Sequence, residues 1–147
     1  QGIDKTGKTK IAATEAVSGA NPAANAEFLI TVPAGERWLL KSVSVQCVQG
    51  ATQTPWPVLS IDDGTNVLWQ ARSGTAAQAA STTCQHSWAV GSPLTIAGAT
   101  TEVRATGPLP QDMVLEAGFR ILSLTTGIGA NTNYGIPWAA VVKLPAA

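Results

Sequence analysis

Val58-Leu59-Ser60-Ile61-Asp62-Asp63-Gly64-Thr65-Asn66-Val67-Leu68-Trp69-Gln70-Ala71 is the stretch that decides the fold class. Two short runs, Val58 to Asp62 and Val67 to Ala71, flank Asp63-Gly64-Thr65-Asn66, and an Asp-Gly pair supplies the positive φ that a tight hairpin turn needs. The stretch predicts two antiparallel strands joined by a turn.

Outward from this hairpin the same pattern repeats. Phe28, Ile30 and Val32 alternate with Leu29 and Thr31, and Pro33-Ala34-Gly35-Glu36 then turns the chain. The long run from Arg37 to Val48 puts Leu39, Val43, Val45 and Cys47 on one side and Ser42, Ser44 and Gln46 on the other, a strand with one wet face. Further strands are expected at Gln85 to Val90, Leu94 to Ile96, Thr101 to Thr106, Phe119 to Leu124 and Trp138 to Leu144. After Glu27 no window of a dozen residues keeps helical apolar spacing with capping signals, so long helices are not expected. About eight short strands predict an all-β protein: an antiparallel two-sheet sandwich with jelly-roll-like topology.

Residues 1–26 contain almost nothing large to bury and read as an extended N-terminal arm ahead of a sandwich domain at 27–147. Ala24-Asn25-Ala26 has the form of a signal-cleavage site, but Glu15, Ser18, Asn21 and Pro22 before it do not suit an apolar leader. An internal echo joins Ala34-Gly35-Glu36-Arg37-Trp38-Leu39 to Ala117-Gly118-Phe119-Arg120-Ile121-Leu122, each leading from a turn into a strand. It fits either shared turn-to-strand chemistry or a two-fold internal relation.

The chain has 147 residues, nine basic and nine acidic, and only 12% charged residues. A chain built to track nucleic acid needs clustered Lys and Arg, so no nucleic-acid partner is expected. No apolar run approaches the roughly 18 residues of a helical membrane span, so no membrane partner is expected either. The charge is uneven, however. Lys5, Lys8 and Lys10 against Asp4 give the first ten residues a local +2, leaving −2 for the rest.

Several motifs suggest chemistry and are better explained without it. Gly2-Ile3-Asp4-Lys5-Thr6-Gly7-Lys8-Thr9 matches the phosphate-loop expression, but such a loop works between a strand and a helix, and the chain lacks β-α units. Cys84-Gln85-His86 places a thiol and the single imidazole on one strand face, without a nucleophile elbow or third group around them. A half-buried Cys beside a solvated His is expected there. Cys47 and Cys84 could pair across neighbouring strands, but two cysteines make no disulfide framework, and reduced core thiols are expected. Asp62 and Asp63 suit a turn better than a calcium loop, whose twelfth position here is Ser73. No catalytic, metal-binding or cofactor-binding residue is assigned, and the chain is not expected to be an enzyme.

Five Trp are more informative. A Trp N–H needs a partner when buried, so Trp favours core edges and interfaces. Trp38, Trp69 and Trp138 lie in strand patterns and are expected at the core or its edge. Trp56, between Pro55 and Pro57, reads as a loop residue that could stack on a sugar ring or anchor a subunit interface, with Trp88 as a second such platform.

Thr31-Val32-Pro33-Ala34-Gly35-Glu36-Arg37-Trp38, Ile61-Asp62-Asp63-Gly64-Thr65-Asn66-Val67-Leu68-Trp69, and Pro108-Leu109-Pro110 leading to Leu115-Glu116-Ala117-Gly118-Phe119-Arg120 resemble the small β-sandwich virion proteins of tailed bacteriophages. Head decoration, or cement, proteins are the most similar group. The resemblance spans roughly residues 28–124. It implies a jelly-roll-like domain and homotrimers, assembled in the bacterial host cytoplasm and attached to major capsid protein on the outside of the head. It also implies a terminal arm that reaches across a neighbour. The expected contacts with capsid or subunit are Lys5, Lys8, Lys10, Trp56, Trp88 and Trp138. The alternative is a carbohydrate- or receptor-binding module of a tail, collar or fibre.

Overall fold

The computed structural model describes residues 2–3, 9–10 and 13–145, and among these there is no helix. The strands follow as β1 (Gly2–Ile3), β2 (Thr9–Lys10), β3 (Thr14–Ser18), β4 (Leu29–Thr31), β5 (Trp38–Gln49), β6 (Trp56–Asp62), β7 (Val67–Arg72), β8 (Thr83–Val90), β9 (Thr95–Ala97), β10 (Val103–Leu109), β11 (Val114–Leu115), β12 (Arg120–Thr126), β13 (Thr132–Tyr134) and β14 (Trp138–Lys143). Among the described residues, β1 and β2 pair with each other. The large sheet runs β3-β14-β5-β8-β10-β9, with β11 and β13 also pairing to β5, and the small sheet runs β4-β12-β6-β7.

The two sheets form a sandwich because alternate residues on each carry the apolar side chains. Ile30, Leu59, Ile61 and Ile121 from the small sheet meet Trp38, Leu40, Val43, Val45, Trp88, Leu109 and Val141 from the large one, all buried. Phe28 fills the space between them, meeting Tyr134 edge to face at 5.3 Å between ring centroids. The hairpin 58–71 forms as read, and Asp63 accepts from the N–H groups of Thr65 at 2.9 Å and Asn66 at 2.7 Å.

Three expectations are corrected. First, the large sheet is mixed, since β8 and β10 run parallel. The chain leaves β8, returns as β9 on the far side of a gap, and reverses at Gly98 (φ 126°), where Glu102 N–H donates to Ala99 O at 2.7 Å. Strand β10 then enters the gap between β8 and β9, antiparallel to β9 and hence parallel to β8. Second, Leu39 does not face the core. Leu40 pairs with Val141 and Ser42 with Ala140, so Lys41 is an extra residue, a bulge that shifts the alternation. Trp38 and Leu40 point inward before it, and Val43, Val45 and Cys47 after it. Third, part of the stretch read as an arm belongs to the sandwich. Strand β3 pairs with β14 along Thr14–Ser18, and Val17 packs against the core.

The repeated A-G-x-R-x-L segments are two copies of one turn. Glu36 N–H donates to Pro33 O and Phe119 N–H to Glu116 O, with Gly35 at φ 78° and Gly118 at φ 87° in the third position, where this turn requires positive φ. One turn takes the chain from β4 in the small sheet to β5 in the large, and the other from β11 in the large sheet to β12 in the small. Arg37 Nε on Glu116 Oε1 at 2.8 Å ties the two turns together.

Candidate functional site

The sandwich separates the tryptophans read as contact residues. Trp88 is fully buried, its Nε1 donating to Ala71 O at 3.2 Å and its ring stacked with His86. It therefore presents no surface to a sugar or a subunit in this fold. Trp56 is the first residue of β6 rather than a loop residue, paired across from Thr126. Its Nε1 donates to Ser73 O at 3.0 Å, and the Arg72 guanidinium lies 4.2 Å from the ring centroid, covering one indole face. Trp138, expected at the core or its edge and also named as a contact residue, is 47% exposed on the outside of the large sheet. The two surface rings thus sit on opposite outer faces with Trp88 between them. Lys5 and Lys8 lie outside the described residues, and Lys10 lies in β2 opposite Gly2.

Cys84 and His86 are both buried, so the imidazole is not solvated as expected. The chemistry around it is a closed polar chain. Gln78 Nε2 donates to Cys47 O and Thr82 O, each at 3.0 Å, which leaves Oε1 to accept from His86 Nε2 at 2.9 Å. The proton on Nε2 makes Nδ1 the acceptor for Ser73 Oγ–H at 2.5 Å. Burial pushes His86 down to about 4, so it is neutral near pH 7.

Ser73, His86 and Gln78 superficially resemble a nucleophile, base and orienting group, but Gln78 carries no charge to stabilise an imidazolium, and all three side chains are sealed from solvent. What the chain does is fix residues 73–82 over the inner face of β5 and β8. Cys47 and Cys84 face each other in register beneath this cover as free thiols, and burial, the largest cause for each, pushes both up to about 12. A sequence motif could not have found Ser73 or Gln78, because the sequence places them 13 and 8 residues from His86.

Asp62 and Asp63 act in the turn. Arg120 donates to Asp62 through Nε and Nη2, both at 2.8 Å, and this pairing, with further help from Gly64 N–H, holds the Asp62 carboxyl below its usual range despite the opposing effect of burial. Among the described residues no three His, Cys, Asp or Glu side chains gather as a metal site.

The surface features that remain are the two outer faces. On the large sheet, Ser18, Trp138, Ser44, Ser87, Thr106 and Thr95 stand directly opposite one another from β3 to β9, one row across six strands. One flanking row adds Ala16, Ala140, Ser42 and Ala89, small side chains beside Trp138, and the row on the other flank carries Gln46, Gln85, Arg104 and Ala97. The outside of the small sheet instead carries Leu29, Leu124, Val67 and Leu68, all exposed, beside Leu122 and Val58. An open depression lined by Glu27, Leu124, Thr125, Thr126 and Ile128 borders this patch. Comparison with protein-family models, curated proteins and solved structures finds no match.

Proposed function

We propose that this protein is a structural component of a virion, a decoration protein that binds major capsid protein on the outer surface of a tailed-phage head and stabilises the shell. The observation that carries the reading is the set of apolar side chains exposed on the two outer faces, Leu29, Leu124, Val67 and Leu68 on one and Trp138 on the other. Apolar side chains held on rigid strands suit docking against protein, where large rings and aliphatic anchors supply most of the binding energy. A decoration protein also gains from repetition, since many copies on one shell turn modest contacts into firm attachment. The jelly-roll-like part of the reading rests on the repeated passage of the chain between sheets. The β6–β7 hairpin inside one sheet and the parallel β8–β10 pair depart from two antiparallel Greek keys.

In this reading Lys5, Lys8 and Lys10 help an arm dock on acidic capsid surface. The matching experiment is deletion of residues 1–12, which stops short of β3 and leaves the sandwich edge in place. Reduced occupancy on heads lacking the protein supports the arm as an anchor, and unchanged occupancy removes it from that role.

Trp138 also favours a second reading, a carbohydrate- or receptor-binding module. Its exposed ring stands between Ser18 and Ser44, whose small side chains leave room for a sugar. Glycan-array binding that Trp138→Ala abolishes supports this class, and an array without signal counts against it.

A further inference from the structure

One imidazole holds down the segment that joins β7 to β8. Cys84, Val103 and Ala105, with Ile96 beside them, form a small buried cluster drawn from the large sheet alone. Residues 73–82 cover it, and a Cβ on Gly74 would stand 3.2 Å from Ile96 Cβ and 3.4 Å from Ala105 Cβ. This cover carries no large apolar residue. Its only fully buried side chains are Ser73 and Gln78, and each is bonded to a different ring nitrogen of His86.

The backbone anchors lie at the two ends. Ser73 N–H donates to Pro57 O at 3.3 Å and Gly74 N–H to Thr106 O at 2.8 Å, while Ser81 N–H donates to Gly50 O at 2.8 Å. Trp56 Nε1 adds a bond to Ser73 O. Between these anchors the described bonds to the sandwich come from Gln78, through its N–H to Pro55 O and its side chain to His86 and Cys47 O. Both ends turn through left-handed backbone, Gly74 at φ 81° and Ser81 at φ 58°, the second a strained position for a residue with a Cβ.

The ring suits this task only while it is neutral. Val45 and Cys47 face it from β5, Cys84 and Trp88 from its own strand, Ala105 from β10, and Ser73 and Gln78 from the cover. The two thiols are the titratable groups among these, and none of the side chains is charged, so an imidazolium there has no counter-ion. Lifting Gln78 away opens Nε2 to water, which hydrates the charge, while Ser73 stays on its anchors. Protonation therefore favours the lifted form over the closed one. We propose that residues 75–80 are an acid-released strap, which lifts from the sandwich when His86 is protonated and uncovers Cys84 while both sheets stay folded.

Cys84 is a built-in reporter, because its thiol is fully buried and sits in the small cluster outside the main core. The full chain is labelled with dithiodipyridine, and the rate is divided by that of a free thiol at the same pH. Peptide mapping locates the label. From about pH 8 to about pH 5 the normalised rate at Cys84 is expected to rise by roughly tenfold or more. Urea below the unfolding transition is expected to change it little, since lifting a short strap exposes little surface. His86→Gln is expected to remove the acid rise. Gln78→Ala is expected to label about tenfold faster already at high pH, and Thr75→Ala, exposed on the strap, to behave as wild type.

Circular dichroism checks that each variant is folded. If a variant at 78 or 86 does not fold, the pH and urea dependence of the wild type decides alone. A rate without an acid rise, a rate that follows urea with the slope of global unfolding, an equal acid rise in folded His86→Gln, or a folded Gln78→Ala that labels no faster than wild type would each overturn the proposal.

Discussion

At the scale of single residues, the buried chain Ser73–His86–Gln78 gives this protein its clearest dependence on pH. Unfolded His86 takes up a proton near pH 6.5, and folded His86 only near 4. Between these values the unfolded state binds more protons, so stability is full above about pH 6.5 and declines as pH falls towards 4, by a total on the order of 3 kcal/mol. Urea unfolding across this range is expected to show that decline, and His86→Gln is expected to flatten it; an equal slope in the variant would assign the effect to other groups. Gly107 is a second sensitive point. A Cβ there would press on the Arg72 carbonyl oxygen and stand 2.8 Å from Trp88 Cδ1. Gly107→Ala is expected to cost about 1–3 kcal/mol through overpacking, measured as a lower urea midpoint.

At the scale of elements, the strands were legible where local chemistry decides them. Asp63-Gly64 marked its hairpin, and the period-two runs marked β4, β5, β6, β7, β8 and β12, because each alternation mirrors a buried face. The parts that were not legible depend on distant partners. Thr14–Ser18 has few apolar residues and becomes a strand because β14 offers an edge with Ala139 facing Val17. Lys41 bulges because β14 pairs past it, which no local signal in β5 announces. The parallel placement of β10 is a topological outcome of the 98–102 reversal. The twin turns were visible as letters, and they permit a clean test. A Cβ on Gly35 or Gly118 would meet nothing within 4 Å, so Gly118→Ala isolates the cost of positive φ, about 1–2 kcal/mol in thermal or urea unfolding. A neutral substitution would mean that this turn relaxes to another geometry.

At the scale of the whole molecule, low charge and abundant Trp pointed toward contact with other proteins, and the sandwich assigns the surfaces unequally. Trp88 left the surface because its indole completes the core beside Phe28 and His86, while Trp138 and the Leu29–Leu124 patch took the exposed positions. No spacing rule separates these cases, since Trp88 and Trp138 both sit in alternating strands, and only the partner sheet decides which side is inside. The proposed role is attachment to a phage head. Its most direct measurement is co-sedimentation of the purified chain, across a concentration series, with heads that lack it. Saturable binding is expected, raising the heads' resistance to heat or chelator and weakening when Trp138→Asp or Leu124→Asp removes an outer-face anchor. Heads that retain no protein at the highest concentration, or retain it without saturation, would contradict it.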